Sequence, residues 1–174
     1  MTSVPSVAEA VIELASKFSG QLLQSADAGY EEARKVHNGL VNKRPVLIAR
    51  CRGVADVVDA VNLARKLSLE VAVRGGGHNV AGRATVDGGL MIDLVPMKGI
   101  HVDPYVRTAH AQGGVTWAEL NRETQLHGLA VTGGVPSQHR GAVELAAAVN
   151  LLNYIAGNVG QTVRFGADQD AGDG

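Results

Sequence analysis

The chain has 174 residues, a formal net charge of −1 and only 3% aromatic residues, enough for one domain with its own core but without the basic field or stacking platform of a nucleic-acid binder. Its single cysteine, Cys51, excludes an internal disulfide and a multi-cysteine zinc site, and no metal is expected. No apolar run reaches the roughly 18 residues that span a bilayer, and Glu9, Glu13 and Lys17 interrupt the N-terminal apolar residues, so a cytoplasmic protein without a signal peptide or membrane contact is expected.

Residues 7–18 place Val7, Val11, Leu14 and Phe18 at helical spacing and predict a leading helix. Residues 21–42 are mixed and polar, broken by Gly29 and Gly39. After Arg44-Pro45, residues 46–49 are apolar throughout, as in a buried strand. Residues 56–67 predict an amphipathic helix with Val57, Val61, Ala64 and Leu67 turned inward. Residues 70–73 predict the next strand, and the three elements have the spacing of a right-handed βαβ unit.

That strand runs into Arg74-Gly75-Gly76-Gly77-His78-Asn79, with Gly82 just beyond. Three consecutive glycines strip the side chains from a turn, so an anionic ligand can lie against bare backbone N–H groups. A plain tight turn would explain one or two glycines. It explains poorly three in a row followed by a polar His-Asn pair. Two nucleotide motifs are excluded. The third glycine of a dinucleotide-binding fingerprint is Val80 here, and Arg83-Ala84 replaces the lysine and hydroxyl of a Walker A loop.

Residues 89–94, 99–103 and 106–111 read as short strands of a meandering β layer. Residues 116–127 predict a helix opened by a Thr116/Glu119 capping box and closed by Gly128. A last strand is predicted at residues 129–131, leading into Thr132-Gly133-Gly134-Val135-Pro136. Residues 142–156 are alanine-rich and helical by propensity, and residues 166–174 have the composition of a disordered end.

In order, these segments resemble the FAD-linked oxidases of the berberine-bridge-enzyme and 6-hydroxynicotine-oxidase type. The resemblance rests on Tyr30, Ala33-Arg34, Asn38-Gly39 and Arg44-Pro45, then Ile48-Ala49-Arg50-Cys51 with Asp56-Val57. It continues through the glycine loop, Ile92-Asp93-Leu94, Met97, Val102-Asp103-Pro104, Gly113-Gly114-Val115 with Trp117, and His127-Gly128-Leu129-Ala130. It implies an α+β, PCMH-type FAD-binding domain: an N-terminal βαβ subdomain followed by a mixed β layer with helices, incomplete at its C-terminal side. The expected division is a helix and linker at residues 1–29, the FAD-binding domain at 30–137 and a divergent helical tail at 138–174.

The resemblance further implies FAD as cofactor, held by Arg74, Gly75, Gly76, Gly77, His78, Asn79 and Gly82, with Gly113, Gly114, Gly133, Gly134 and Val135 along the flavin and its ribityl-phosphate arm. His78 would carry a covalent bond to the flavin 8α-methyl. A second bond through cysteine is not expected, because Pro136 follows Gly134-Val135 and Cys51 reads as a core residue. His37 stands where relatives have a large aromatic and is read as a packing residue; His101 and His110 are read as surface or turn residues. Trp117 is read as helix-to-sheet packing.

Beyond Ser137 the family's next glycine-rich segment is absent, and residues 151–163 resemble a segment of molybdopterin-dependent oxidoreductases. No catalytic base or substrate pocket is legible. The expected function is the FAD-binding domain of an oxidoreductase passing a hydride from a substrate C–H to flavin N5. The alternatives are a catalytically silent nucleotide-binding or interaction module whose partner chain supplies the missing substrate domain, and a product of an accidental gene junction.

Overall fold

The computed structural model describes residues 6–131. Gly133, Gly134, Val135 and the predicted tail elements therefore lie outside the described residues. The described residues divide into two compact units: one runs to Gly99 and includes Ala111–Thr116, the other takes Ile100–His110 and the described residues from Trp117 onward.

In the first unit, α1 (Val7–Ala15) opens on Ser6. The Glu9 N–H donates to Ser6 Oγ and the Ser6 N–H to Glu9 Oε2, a reciprocal capping box that satisfies two helix-end donors. Strand β1 (Gln21–Leu23) lies in the stretch read as irregular, and the short helix α2 (Tyr30–Ala33) follows it. Strand β2 (Leu47–Arg50), helix α3 (Val54–Leu67) and strand β3 (Val71–Arg74) realise the predicted βαβ succession.

Strand β4 (Leu90–Asp93) was expected in a separate meander. It inserts instead between β2 and β3, parallel to both, giving the order β1-β2-β4-β3 with β1 antiparallel. All four of its residues are buried. A central parallel strand is covered on both faces and needs an unbroken apolar run.

Alternate side chains of the sheet feed two cores. Leu47, Ala49, Leu90 and Ile92 pack with Ala10 and Leu14 of α1, Ala60 and Leu63 of α3, and Cys51. Ile48 and Met91 face Leu23, Tyr30 and Ala33. The Tyr30 hydroxyl donates to the Pro45 carbonyl at 2.6 Å, satisfying both buried groups. Cys51 is the buried core residue expected, and burial, with the nearby Asp56 and Asp93 carboxylates, pushes its thiol up to about 12.

The inward stripe of α3 is rotated from the prediction. Asp56, Ala60, Leu63 and Ala64 are buried, Val57 and Leu67 pack partly, and Val61 is exposed. Asp56 sets the rotation. Its carboxylate accepts the Arg52 N–H at 2.8 Å and the Ser19 N–H at 2.9 Å, tying the helix start to the chain that follows α1. A carboxylate in the first turn also complements the helix dipole.

The second unit contains β5 (Ile100–Asp103), β6 (Thr108–Ala111) and α4 (Trp117–Gln125). β5 and β6 form a two-stranded sheet, and α4 packs on β5. The predicted glycine stop is present: Gly128 has φ +64°, its N–H donates to Gln125 O, and the Leu129 N–H reaches back to Thr124 O. That pair of bonds is a Schellman closure. Residues 129–131 form no strand. Trp117 is half-exposed and His101, His110 and His127 are exposed. Among the described residues no helix is long and apolar enough to cross a membrane.

Candidate cofactor site

The three parallel strands end in register at Arg50, Asp93 and Arg74. Asp93 is fully buried, with Arg50 Nε at 3.1 Å and Arg74 Nη1 at 3.7 Å from its Oδ2. Its other oxygen accepts the Val95 N–H at 3.1 Å. A buried carboxylate needs such partners, because leaving one unpaired costs several kcal/mol, about 3–5 in mutational data. Two guanidiniums against one carboxylate leave a net positive charge where β3 gives way to the glycine loop.

Arg74 was expected among the cofactor residues. Its guanidinium turns inward: Nη1 donates to the Ala33 carbonyl at 2.7 Å, so the side chain braces the root of the loop. Its Nε is buried and has no partner among the described residues. A Cβ built on Gly77 would lie 3.4 Å from that nitrogen.

The three glycines meet three different surroundings. A Cβ on Gly75 would sit 2.7 Å from the Gly113 carbonyl oxygen, so two backbones touch here. Gly77 has φ +71°, in the left-handed region that glycine adopts without strain. Gly76 is exposed, and a Cβ there would meet only the rotatable His78 ring. Packing of the described residues gives Gly76 no reason to be glycine.

None of the backbone N–H groups from Gly75 to Asn79 donates a hydrogen bond to another described residue. The carbonyls, by contrast, are used: Gly77 O accepts the His37 N–H at 3.0 Å, and Asn79 O accepts the Gly82 N–H at 3.0 Å. Asn79 Oδ1 accepts the Arg83 N–H at 3.0 Å, so this side chain shapes the turn. Gly82 has φ +69°, and a Cβ would strike Val41. Lys43 Nζ holds the Gly82 and Thr85 carbonyls, each at 3.3 Å.

The remaining predicted glycines divide. Gly113 and Gly114 are brought to the loop through the Gly75 contact. A Cβ on Gly114 would overlap the Leu94 and Val95 carbonyls, so its absence is already demanded by the fold. Gly133, Gly134 and Val135 lie outside the described residues. Sequence reasoning placed His37 only as a packing residue. Its ring lies 4.7 Å from that of His78, tilted by 37°. Asn38 Nδ2 donates to the Val80 carbonyl at 2.9 Å, on the far side of His78.

These features fit a nucleotide diphosphate: a run of unengaged amides, a bare Cα at Gly76, a buried guanidinium nitrogen without a partner and a positive root. A family model described as an FAD binding domain matches residues 45–164. That span takes in residues 151–163, so the FAD family accounts for the stretch and the molybdopterin reading has no support.

The chain is 39% identical over 116 residues to (R)-6-hydroxynicotine oxidase of Paenarthrobacter nicotinovorans, covering 67% of this chain and 25% of that protein. It is 31% identical over 107 residues to berberine bridge enzyme-like 14 of Arabidopsis thaliana, covering 57% and 20%. The crystal structure of 6-hydroxy-D-nicotine oxidase from Arthrobacter nicotinovorans superposes with a TM-score of 0.64 at 39% identity, covering 67% of this chain and 26% of that one. The chain therefore spans about a quarter or less of the length of these relatives. Partial as that span is, it belongs to the FAD binding domain family of FAD-linked oxidoreductases, and its cofactor is FAD.

Proposed function

We propose that the amides of Gly75, Gly76, Gly77, His78 and Asn79 hold the FAD diphosphate and that His78 carries the flavin on a covalent bond. The observation that carries this reading is the run of unengaged N–H groups ending beside an exposed imidazole. When bound, FAD supplies the hydride acceptor at N5 for a substrate C–H beside an alcohol or amine. The chain's own residues bind and orient. Gly76 lets the diphosphate approach main chain, Arg74 and Arg50 keep the root of the loop positive, and Lys43 and Asn79 fix the turn that follows. Gly133, Gly134 and Val135 belong to the same proposal, along the ribityl-phosphate arm. The pocket that shields substrate is supplied by polypeptide beyond the described residues or by a partner chain, which agrees with the quarter-length match to the relatives.

The test is direct. Purified with excess FAD, the chain is expected to stay yellow through acid precipitation. His78→Ala is expected to lose the acid-stable colour while retaining dissociable FAD, because its backbone amide remains. A chain that stays colourless with FAD supports the rival reading of a silent module, and acid-stable flavin persisting in His78→Ala removes His78 from the role.

A further inference from the structure

We propose that His37 is a positioning residue: its ring holds the His78 imidazole in the orientation from which the bond to flavin forms. The inference rests on the reading of His78 given above. Its own support is the way residues 36–38 lie along the glycine loop. The His37 N–H donates to the Gly77 carbonyl at 3.0 Å, immediately before His78. Asn38 Nδ2 donates to the Val80 carbonyl at 2.9 Å, two residues after it. A Cβ on Gly77 would lie 3.5 Å from Val36 Cα and 3.7 Å from His37 N, so main chain runs beside main chain. Between these two ties the imidazoles meet, with centroids 4.7 Å apart and planes tilted by 37°.

The contact matters because little else restrains His78. Its side chain is exposed, and the neighbouring Gly76 offers no Cβ to fence the ring in. An unfenced imidazole samples its χ1 and χ2 wells, and only some of them aim a nitrogen at a bound flavin. Ring contact with an anchored neighbour narrows that sampling.

In the attachment step, one imidazole nitrogen bonds to the flavin 8α carbon while one C–H and one N–H bond break. The two protons leave to solvent and the electron pair stays in the flavin. Dioxygen then takes that pair with two protons, giving hydrogen peroxide and restoring the oxidised ring. His37 takes no part in this electron or proton balance. It shortens the search for reactive geometry.

The test follows acid-stable flavin with time in the 174-residue chain at saturating FAD, beside His37→Ala, His37→Phe and His78→Ala. His37 is exposed, so its replacement leaves both cores intact. His37→Ala is expected to slow attachment about fivefold, the weight of one aromatic contact, and His37→Phe to restore most of the rate. NMR of the His78 ring in the FAD-free chain is expected to show rotamer averaging in His37→Ala and a single rotamer in wild type and His37→Phe. If wild type attaches flavin and His37→Ala matches its rate, or His37→Phe is as slow as His37→Ala, the inference fails and the reading of His78 stands. If wild type attaches no flavin, both fail.

Discussion

Two neighbouring groups of polar atoms at one end of the sheet are treated in opposite ways. Asp93, Arg50 and Arg74 close on one another inside the protein, and both carboxylate oxygens find donors. One residue further along, the amides of Gly75 to Asn79 are left without partners among the described residues. The buried cluster has to be paired within the protein, whereas most of the loop is exposed and its amides are open to solvent or to a ligand. The contrast separates the part of the site that belongs to stability from the part held ready for something else.

The largest expected effect tests the closed half. Asp93→Ala leaves two guanidiniums facing each other at the ends of three parallel strands. It is expected to cost about 3–5 kcal/mol in urea denaturation. A loss below about 1 kcal/mol would mean that the cluster is solvated and that register is set elsewhere.

The contrast sharpens within the glycine run. Gly75→Ala drives a methyl into the Gly113 carbonyl and is expected to destabilise the chain by about 1–3 kcal/mol, the range for overpacking. Gly76→Ala meets only the His78 ring. Its stability is expected to hold within about 0.5 kcal/mol, as at open surface positions, while FAD affinity measured by fluorescence falls at least about tenfold, or 1.4 kcal/mol. Equal loss of stability in both variants would erase the distinction between packing glycine and ligand glycine.

The smallest effect is in pH. Burial pushes the Asp56 carboxyl up, but the donors from Arg52, Ser19 and Gly53 outweigh it and hold the group below its ordinary value of 3.8. With the folded value depressed, the stabilisation is fully present above 3.8 and is lost as pH falls through the lower folded value. Acid titration of wild type against Asp56→Asn is expected to show the two stability curves converging below pH 3.8. Parallel curves would remove Asp56 from the linkage.

Much of this architecture was legible from residues alone, for reasons that also mark the limit. The apolar run Leu47-Ile48-Ala49, the period of α3 and the glycines after β3 are local signals, and they gave the βαβ succession and the loop. Strand neighbours are not local. Residues 90–92 carry an apolar run suited to a central strand, but nothing in them names β2 and β3 as partners. The rotation of α3 escaped because a buried Asp56 reads as a polar outward residue until Ser19 and Arg52 are seen donating to it. Residues 129–131 had strand composition and no strand to pair with among the described residues. The FAD assignment came from the ordered motifs, whereas the contact of His37 with His78 spans 41 positions and had no sequence signal beyond the missing aromatic at position 37.

The meeting of Gly75 with the Gly113 carbonyl also orders events in time. A ribosome that has made residue 82 has produced every loop residue but none of the wall behind the loop. Only when position 113 has emerged, and β4 has taken its place between β2 and β3, can the two main chains touch. The loop therefore waits, unsupported on that side, for main chain that is made after it.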